Sequence, residues 1–136
     1  MSDRGKPLVL VADDEEDIRA LVAFRLQRAG YDVITAADGD EALTLATTRL
    51  PDLAVLDMMM PKATGLEVTR ILREQDTTKD IPVILLTARA QEADVASGFE
   101  AGADDYVKKP FSPKDLQLRV QALLERRPAA STASTG

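Results

Sequence analysis

Short runs rich in Val, Ile and Leu alternate along this chain with longer stretches whose apolar residues recur at three- and four-residue steps. That alternation is the mark of βαβ units. The runs are Leu8–Ala12, Tyr31–Thr35, Leu53–Leu56, Ile81–Leu86 and Tyr106–Val107, which predict five strands. Between the first two, Ile18, Leu21, Val22, Leu26 and Ala29 form one apolar face, and Gly30 follows where a helix end often takes positive φ. Ala42–Arg49 and Gly65–Arg73 read the same way, and Leu116, Val120, Leu123 and Leu124 make the stripe of a last helix. The Glu92–Ala101 segment is weaker, because Gly98 in a helix interior costs about 1 kcal/mol relative to Ala, and a mobile helix is expected there.

The first, third and fourth runs are apolar almost throughout, so both faces of those strands must be covered. Crossover helices on either side of a parallel sheet do this, and the predicted fold is an α/β doubly wound three-layer sandwich. In such sheets polar chemistry gathers beyond the carboxyl ends of the strands. A length of 136 residues suits one domain. The tail Pro128–Gly136 is small and polar with nothing to pack, so a linker or disordered terminus is expected there, with residues 1–6 as a short leading tail and 7–127 as the folded unit.

Composition narrows the function. A formal charge of −6 lacks the basic face that displaces counterions from phosphates, so this domain alone is not expected to bind nucleic acid. No run is long enough for a membrane span or a signal h-region, and a cytoplasmic protein is expected. With no cysteine there is no thiolate metal site or disulfide, and with no histidine any imidazole chemistry must be supplied by another protein.

The polar residues at the strand ends are Asp13-Asp14-Glu15-Glu16 after the first strand, Asp57 closing the third, Thr87 closing the fourth and Lys109-Pro110 after the fifth. Singly each has a plain reading: Asp14 or Thr87 as a helix cap, the acids as complements to a helix dipole, the lysine as a solvated side chain. Together on one rim, three carboxylates repel unless positive charge sits among them, and a divalent cation with a lysine would resolve the repulsion. Oxygen-only ligands point to Mg²⁺ or Ca²⁺, and few carboxylates with water and a phosphate oxygen favour Mg²⁺. A carboxylate placed as Asp57 is can act as a nucleophile on phosphorus, and a Thr87 hydroxyl bonding a phosphoryl oxygen would draw the next segment inward.

The strings Val-Ala-Asp-Asp-Glu at 11–15, Leu-Asp-Met-Met-Met-Pro-Lys-Ala-Thr-Gly at 56–65, Leu-Thr-Ala-Arg at 86–89 and Gly-Ala-Asp-Asp-Tyr-Val-Lys-Lys-Pro-Phe at 102–111 carry a resemblance. From Pro7 to Arg127 the chain resembles the receiver domains of bacterial two-component response regulators, most of all those joined to winged-helix DNA-binding domains (the OmpR type). The resemblance implies a flavodoxin-like (βα)5 sandwich with strand order 2-1-3-4-5 and a phospho-accepting switch driven by a partner histidine kinase or a small phosphodonor. It implies Asp57 as phospho-acceptor, Asp13 and Asp14 with Asp57 and the Met59 backbone carbonyl as Mg²⁺ ligands, and Lys109 as the phosphoryl contact. It further implies Thr87 and Tyr106 as paired switch residues, the tyrosine turning inward, and Pro110 as a structural proline usually preceded by a cis peptide. Such receivers pair through their fourth helix, fifth strand and fifth helix, where Asp105 and Arg119 fit a cross-subunit ion pair. Here Val95-Ala96-Ser97 stands where basic residues usually face acids such as Asp115, and losing two exposed pairs would weaken a homodimer by ~1–2 kcal/mol.

Three other readings compete. A phosphatase with an aspartyl nucleophile normally needs an acid two residues further on, where this chain has Met59. A degenerate scaffold would have lost one of Asp57, Lys109, Thr87 or the acid pair, and all are present. A nucleotide or flavin site would call for a glycine-rich loop after the first strand, where this chain carries four acids.

Overall fold

The computed structural model describes residues 5–88, 97 and 99–126. Five parallel strands, β1 (Leu8–Ala12), β2 (Asp32–Ala36), β3 (Leu53–Asp57), β4 (Val83–Thr87) and β5 (Asp105–Lys108), form one sheet in the order β2-β1-β3-β4-β5. Helices α1 (Glu16–Arg28), α2 (Gly39–Arg49), α3 (Gly65–Arg73) and a C-terminal helix (Pro113–Arg126) complete the described elements. The expected sandwich and strand order are what the chain adopts.

The layers follow from the two-residue period of a strand. Leu10, Ala12, Ala54, Leu56, Val83 and Leu85 face one way, onto Ala42 and Ala46 of α2 and Val68 and Leu72 of α3. Val9, Val11, Leu53, Val55, Ile84 and Leu86 face the other way, onto Val22 and Leu26 of α1 and Leu116, Val120 and Leu123 of the C-terminal helix. Every residue of β1, β3 and β4 is buried, whereas the edge strands β2 and β5 are only partly covered. Each buried Val, Leu or Ile side chain contributes about 1.5–3 kcal/mol of transfer free energy, and this two-sided core dominates the stability.

Local signals set the helix limits. Gly30 follows α1 with φ 103°. α2 starts at Gly39, ahead of the apolar Ala42 where the periodicity begins, because the Asp38 side chain accepts from Glu41 N at 2.8 Å. α3 opens with a capping box in which Thr64 and Glu67 bond each other's backbone N–H. The expected helix over Glu92–Ala101 lies mostly outside the described residues, as do Arg89, Val95, Ala96, Arg127 and the tail from Pro128. Its end is visible: Ser97, Phe99 and Glu100 are helical, and Ala101 N donates to Ser97 O at 3.0 Å.

Candidate functional site

The carboxyl ends of β1, β3 and β5 converge on one rim. Asp13 follows β1, and its N–H still donates to Ala36 O of β2 at 3.1 Å, so its backbone is held as if the strand continued. Its Oδ1 accepts from Glu15 N at 2.9 Å and its carbonyl from Arg19 Nη1 at 2.8 Å. Glu15, not Asp14, is the N-cap residue of α1, which removes the capping reading of Asp14. Asp14 is exposed, while Asp13 is fully buried.

Asp57 is the last residue of β3 and only 5% exposed. Its Oδ1 accepts from Met59 N at 3.4 Å, and the Met59 side chain is 65% exposed. Gly65 opens α3 directly against this residue: a Cβ there would lie 2.5 Å from the Asp57 carbonyl oxygen, so only glycine lets the helix start so close. Lys109 is anchored by its N–H to Thr87 O at 2.6 Å, and the Lys109–Pro110 peptide is cis. Its Nζ stands 2.9 Å from Asp13 Oδ2, 3.4 Å from Asp57 Oδ1 and 3.7 Å from Glu15 Oε1.

Burial, then the charge of Asp13, pushes the Asp57 carboxyl up to about 7, against the opposing pull of the Lys109 ammonium and the Met59 N–H. Burial alone would lower the Lys109 ammonium, but its contact with Asp13 and the charges of Asp57 and Glu15 outweigh this and raise it. Among the described residues, one ammonium, that of Lys109, is set against the carboxylates of Asp13 and Asp57, with Asp14 beside them.

Asp13, Asp14 and Asp57 each offer a carboxylate oxygen within 4.8 Å of the others. Asp13 Oδ2 is buried and, among the described residues, finds no well-aligned hydrogen-bond donor, its neighbour Lys109 Nζ standing 2.9 Å away as an ion-pair partner. A hard cation with oxygen ligands fits this donor set, and a thiolate- or imidazole-seeking metal does not.

Thr87 ends β4 and is buried, and Tyr106 lies in β5 opposite Leu85, part-buried against the core beside α2 and α3. Asp105, Asp115 and Arg119 meet within a single chain: Arg119 Nη1 is 2.9 Å from Asp105 Oδ2, and its Nε is 2.9 Å from Asp115 Oδ2. Three features had no sequence reading. Glu15 reaches Lys109, Arg19 braces the Asp13 carbonyl, and Arg73 bonds Gly102 O, Ile81 O and Asp104 Oδ2. Basic residues at helix ends usually answer the dipole, so nothing in the local sequence distinguished Arg73.

The fold and the acid-lined strand ends are those of a receiver. The sequence profile of the response regulator receiver domain matches residues 9–121, and the chain belongs to that family. It is 51% identical over 126 residues to the alkaline phosphatase synthesis transcriptional regulatory protein PhoP of Bacillus subtilis, covering 93% of this chain and 52% of that protein. It is 44% identical over 118 residues to the phosphate regulon transcriptional regulatory protein PhoB of Klebsiella pneumoniae, covering 87% of this chain and 52% of that one. The chain thus spans about half the length of these curated relatives. Among solved structures, the receiver domain of Francisella response regulator 1452 superposes with a TM-score of 0.84 at 40% identity, covering 89% of this chain and 98% of that one. The BeF3-activated DrrB receiver domain gives 0.80 at 40% identity, covering 89% and 99%. No helix among the described residues is long and apolar enough to cross a membrane.

Proposed function

We propose that this chain is the phospho-accepting switch of a two-component system. The observation that carries the proposal is one ammonium, Lys109 Nζ, placed 3.4 Å from Asp57 Oδ1 and 2.9 Å from Asp13 Oδ2 on a rim that also holds Asp14. An Asp57 carboxylate oxygen attacks the phosphorus of a phosphohistidine on a sensor kinase, or of a small phosphodonor. The P–O bond to Asp57 forms as the donor's bond to phosphorus breaks, and the donor keeps that electron pair. Lys109 offsets the charge of the phosphoryl oxygens, and Asp13, Asp14, Asp57 and the Met59 carbonyl would hold Mg²⁺. When bound, Mg²⁺ supplies the remaining neutralisation of the carboxylates and the phosphoryl group. The Thr87 hydroxyl donates a hydrogen bond to a phosphoryl oxygen, Tyr106 turns inward, and the population moves toward an active form read by a partner.

No acid stands two residues beyond Asp57, where exposed Met59 sits, so the site suits a persistent acyl phosphate and self-catalysed turnover rather than hydrolysis of outside substrates. The receiver unit runs from 7 to 127, supported at its start by Pro7 O, which accepts from Asp32 N at 2.9 Å. A weak homodimer through the Glu92–Ala101 segment, β5 and the C-terminal helix, and a cytoplasmic setting, belong to the same reading. The DrrB receiver domain, 40% identical, is BeF3-activated, which supports activation of this chain by a phosphoryl-like group.

The test is intact mass after incubation with acetyl phosphate and Mg²⁺, with Asp57→Ala and a metal-free control. A single phosphoryl adduct that needs both Asp57 and Mg²⁺ is expected. A folded protein that takes no adduct from acetyl phosphate or phosphoramidate would instead be a scaffold that signals by binding.

A further inference from the structure

The rings of Tyr106 and Phe99 meet with centroids 6.5 Å apart and planes tilted by 35°. That separation lies in the range where aromatic pairs attract. Phe99 is 48% exposed, and its ring is set against that of Tyr106 rather than sunk in the core. Tyr106 is part-buried and also packs against the core cluster that holds Leu85 and Ala103.

Phe99 stands on an anchored platform. Its carbonyl accepts from Gly102 N at 3.0 Å, and Gly102 takes φ +108°. The Gly102 carbonyl accepts from Arg73 Nε at 3.0 Å and Nη2 at 2.7 Å, and a Cβ at position 102 would lie 2.8 Å from Arg73 Cγ. Arg73 also donates to Ile81 O at 2.7 Å and to Asp104 Oδ2 at 3.1 Å, and that carboxylate accepts from Val83 N at 2.8 Å. The turn after Phe99 is therefore tied to α3 and to the start of β4, at the end of the sheet away from the acid-lined rim.

We propose that Phe99 is a positioning residue for the switch tyrosine, its ring holding Tyr106 in the observed orientation and so setting how much phosphoryl group or analogue is needed to turn it. The inference rests on the reading of Tyr106 as a switch residue. The Phe99 contact belongs to the Tyr106 orientation seen here, and a turn of the ring out of that orientation gives the contact up. The lost contact opposes the switch. Aromatic pairs contribute enough beyond simple burial to change a two-state population by about two- to tenfold.

The chain has two tyrosines, Tyr31 and Tyr106, so fluorotyrosine labelling gives two ¹⁹F resonances that Tyr31→Phe assigns. The experiment titrates beryllofluoride with Mg²⁺ into wild type, Phe99→Leu, Phe99→Ala and Phe99→Trp, at a concentration where sedimentation shows monomer. Circular dichroism confirms that each variant is folded. In Phe99→Leu and Phe99→Ala the midpoint is expected to fall by about two- to tenfold, and the free Tyr106 resonance to move toward its beryllofluoride position. Phe99→Trp, which keeps a ring, should stay near wild type. A midpoint that is unchanged or raised in the Leu and Ala variants overturns the proposal, as does a Trp variant that behaves like them. A wild-type Tyr106 resonance that ignores beryllofluoride, in protein that forms the mass adduct, overturns the switch reading of Tyr106 and this proposal with it.

Discussion

Lys109 Nζ stands 2.9 Å from Asp13 Oδ2, and the same nitrogen lies 3.4 Å from Asp57 Oδ1, so a single ammonium separates two buried carboxylates. Removing it leaves both acids uncompensated. Lys109→Met is expected to destabilise the metal-free protein by about 3 kcal/mol, the usual cost of stripping one partner from a buried pair. Urea unfolding in EDTA measures this. The variant should also take acetyl phosphate far more slowly, and Mg²⁺ should recover part of its stability but not its phosphorylation rate.

The pH dependence follows from the Asp57 carboxyl, pushed up to about 7 by burial and by Asp13. Below about pH 4 the group is protonated in folded and unfolded chains alike and has no effect. Between about 4 and 7 the folded chain holds a proton that the unfolded chain has lost, so the stability contribution falls as pH rises. In EDTA, Asp57→Asn should flatten this slope and be more stable than wild type at pH 8, by on the order of 1–3 kcal/mol. Equal slopes for the two proteins would contradict the origin assigned to the shift.

Mg²⁺ should raise the unfolding midpoint of the wild type. Binding to the folded form alone stabilises by about 2.7 kcal/mol at a hundred times the dissociation constant. Asp13→Asn removes a ligand from the cluster of three acids and should lose most of that gain. A full Mg²⁺ response in this variant would show that the cation binds elsewhere.

Arg73→Met removes the donors to Gly102 O, Ile81 O and Asp104 Oδ2 together. Burial lowers the Arg73 guanidinium, with Asp104 and Asp80 opposing, so the group sits in a partly desolvated place and its carbonyl partners lose their donors. A loss of about 2–4 kcal/mol is expected in urea unfolding. Arg73→Lys should recover little, because one ammonium cannot reach carbonyls that the planar fork spans.

Arg119 bonds Asp105 and Asp115 inside one chain, each exposed pair contributing ~0.2–1 kcal/mol. If a homodimer forms on this face, Arg119→Ala should weaken it in sedimentation with beryllofluoride present. Added salt should weaken it as well. A dimer indifferent to both changes would use a different surface.

That Asp57 and Thr87 stand at the carboxyl ends of strands was legible because each ends an apolar run, and a parallel sheet brings such ends to one rim. Gly65–Arg73 was legible to the residue, whereas the start of α2 was not, since its cap at Asp38 lies ahead of the first apolar residue. The links from Glu15 to Lys109 and from Arg73 to Gly102 join residues far apart in the chain. No local pattern records them.

By itself the sequence determined the layers, the strand ends and the residue types on the rim, because hydrophobic periodicity is a local property that a sheet and its helices must obey. Tertiary structure alone decided that Lys109 lies between Asp13 and Asp57, that Arg119 meets Asp105 and Asp115 within one chain, and that Arg73 holds the turn beneath Phe99. Those are distances between side chains on different strands and loops. They follow from sheet register and packing, which no single segment of the chain contains.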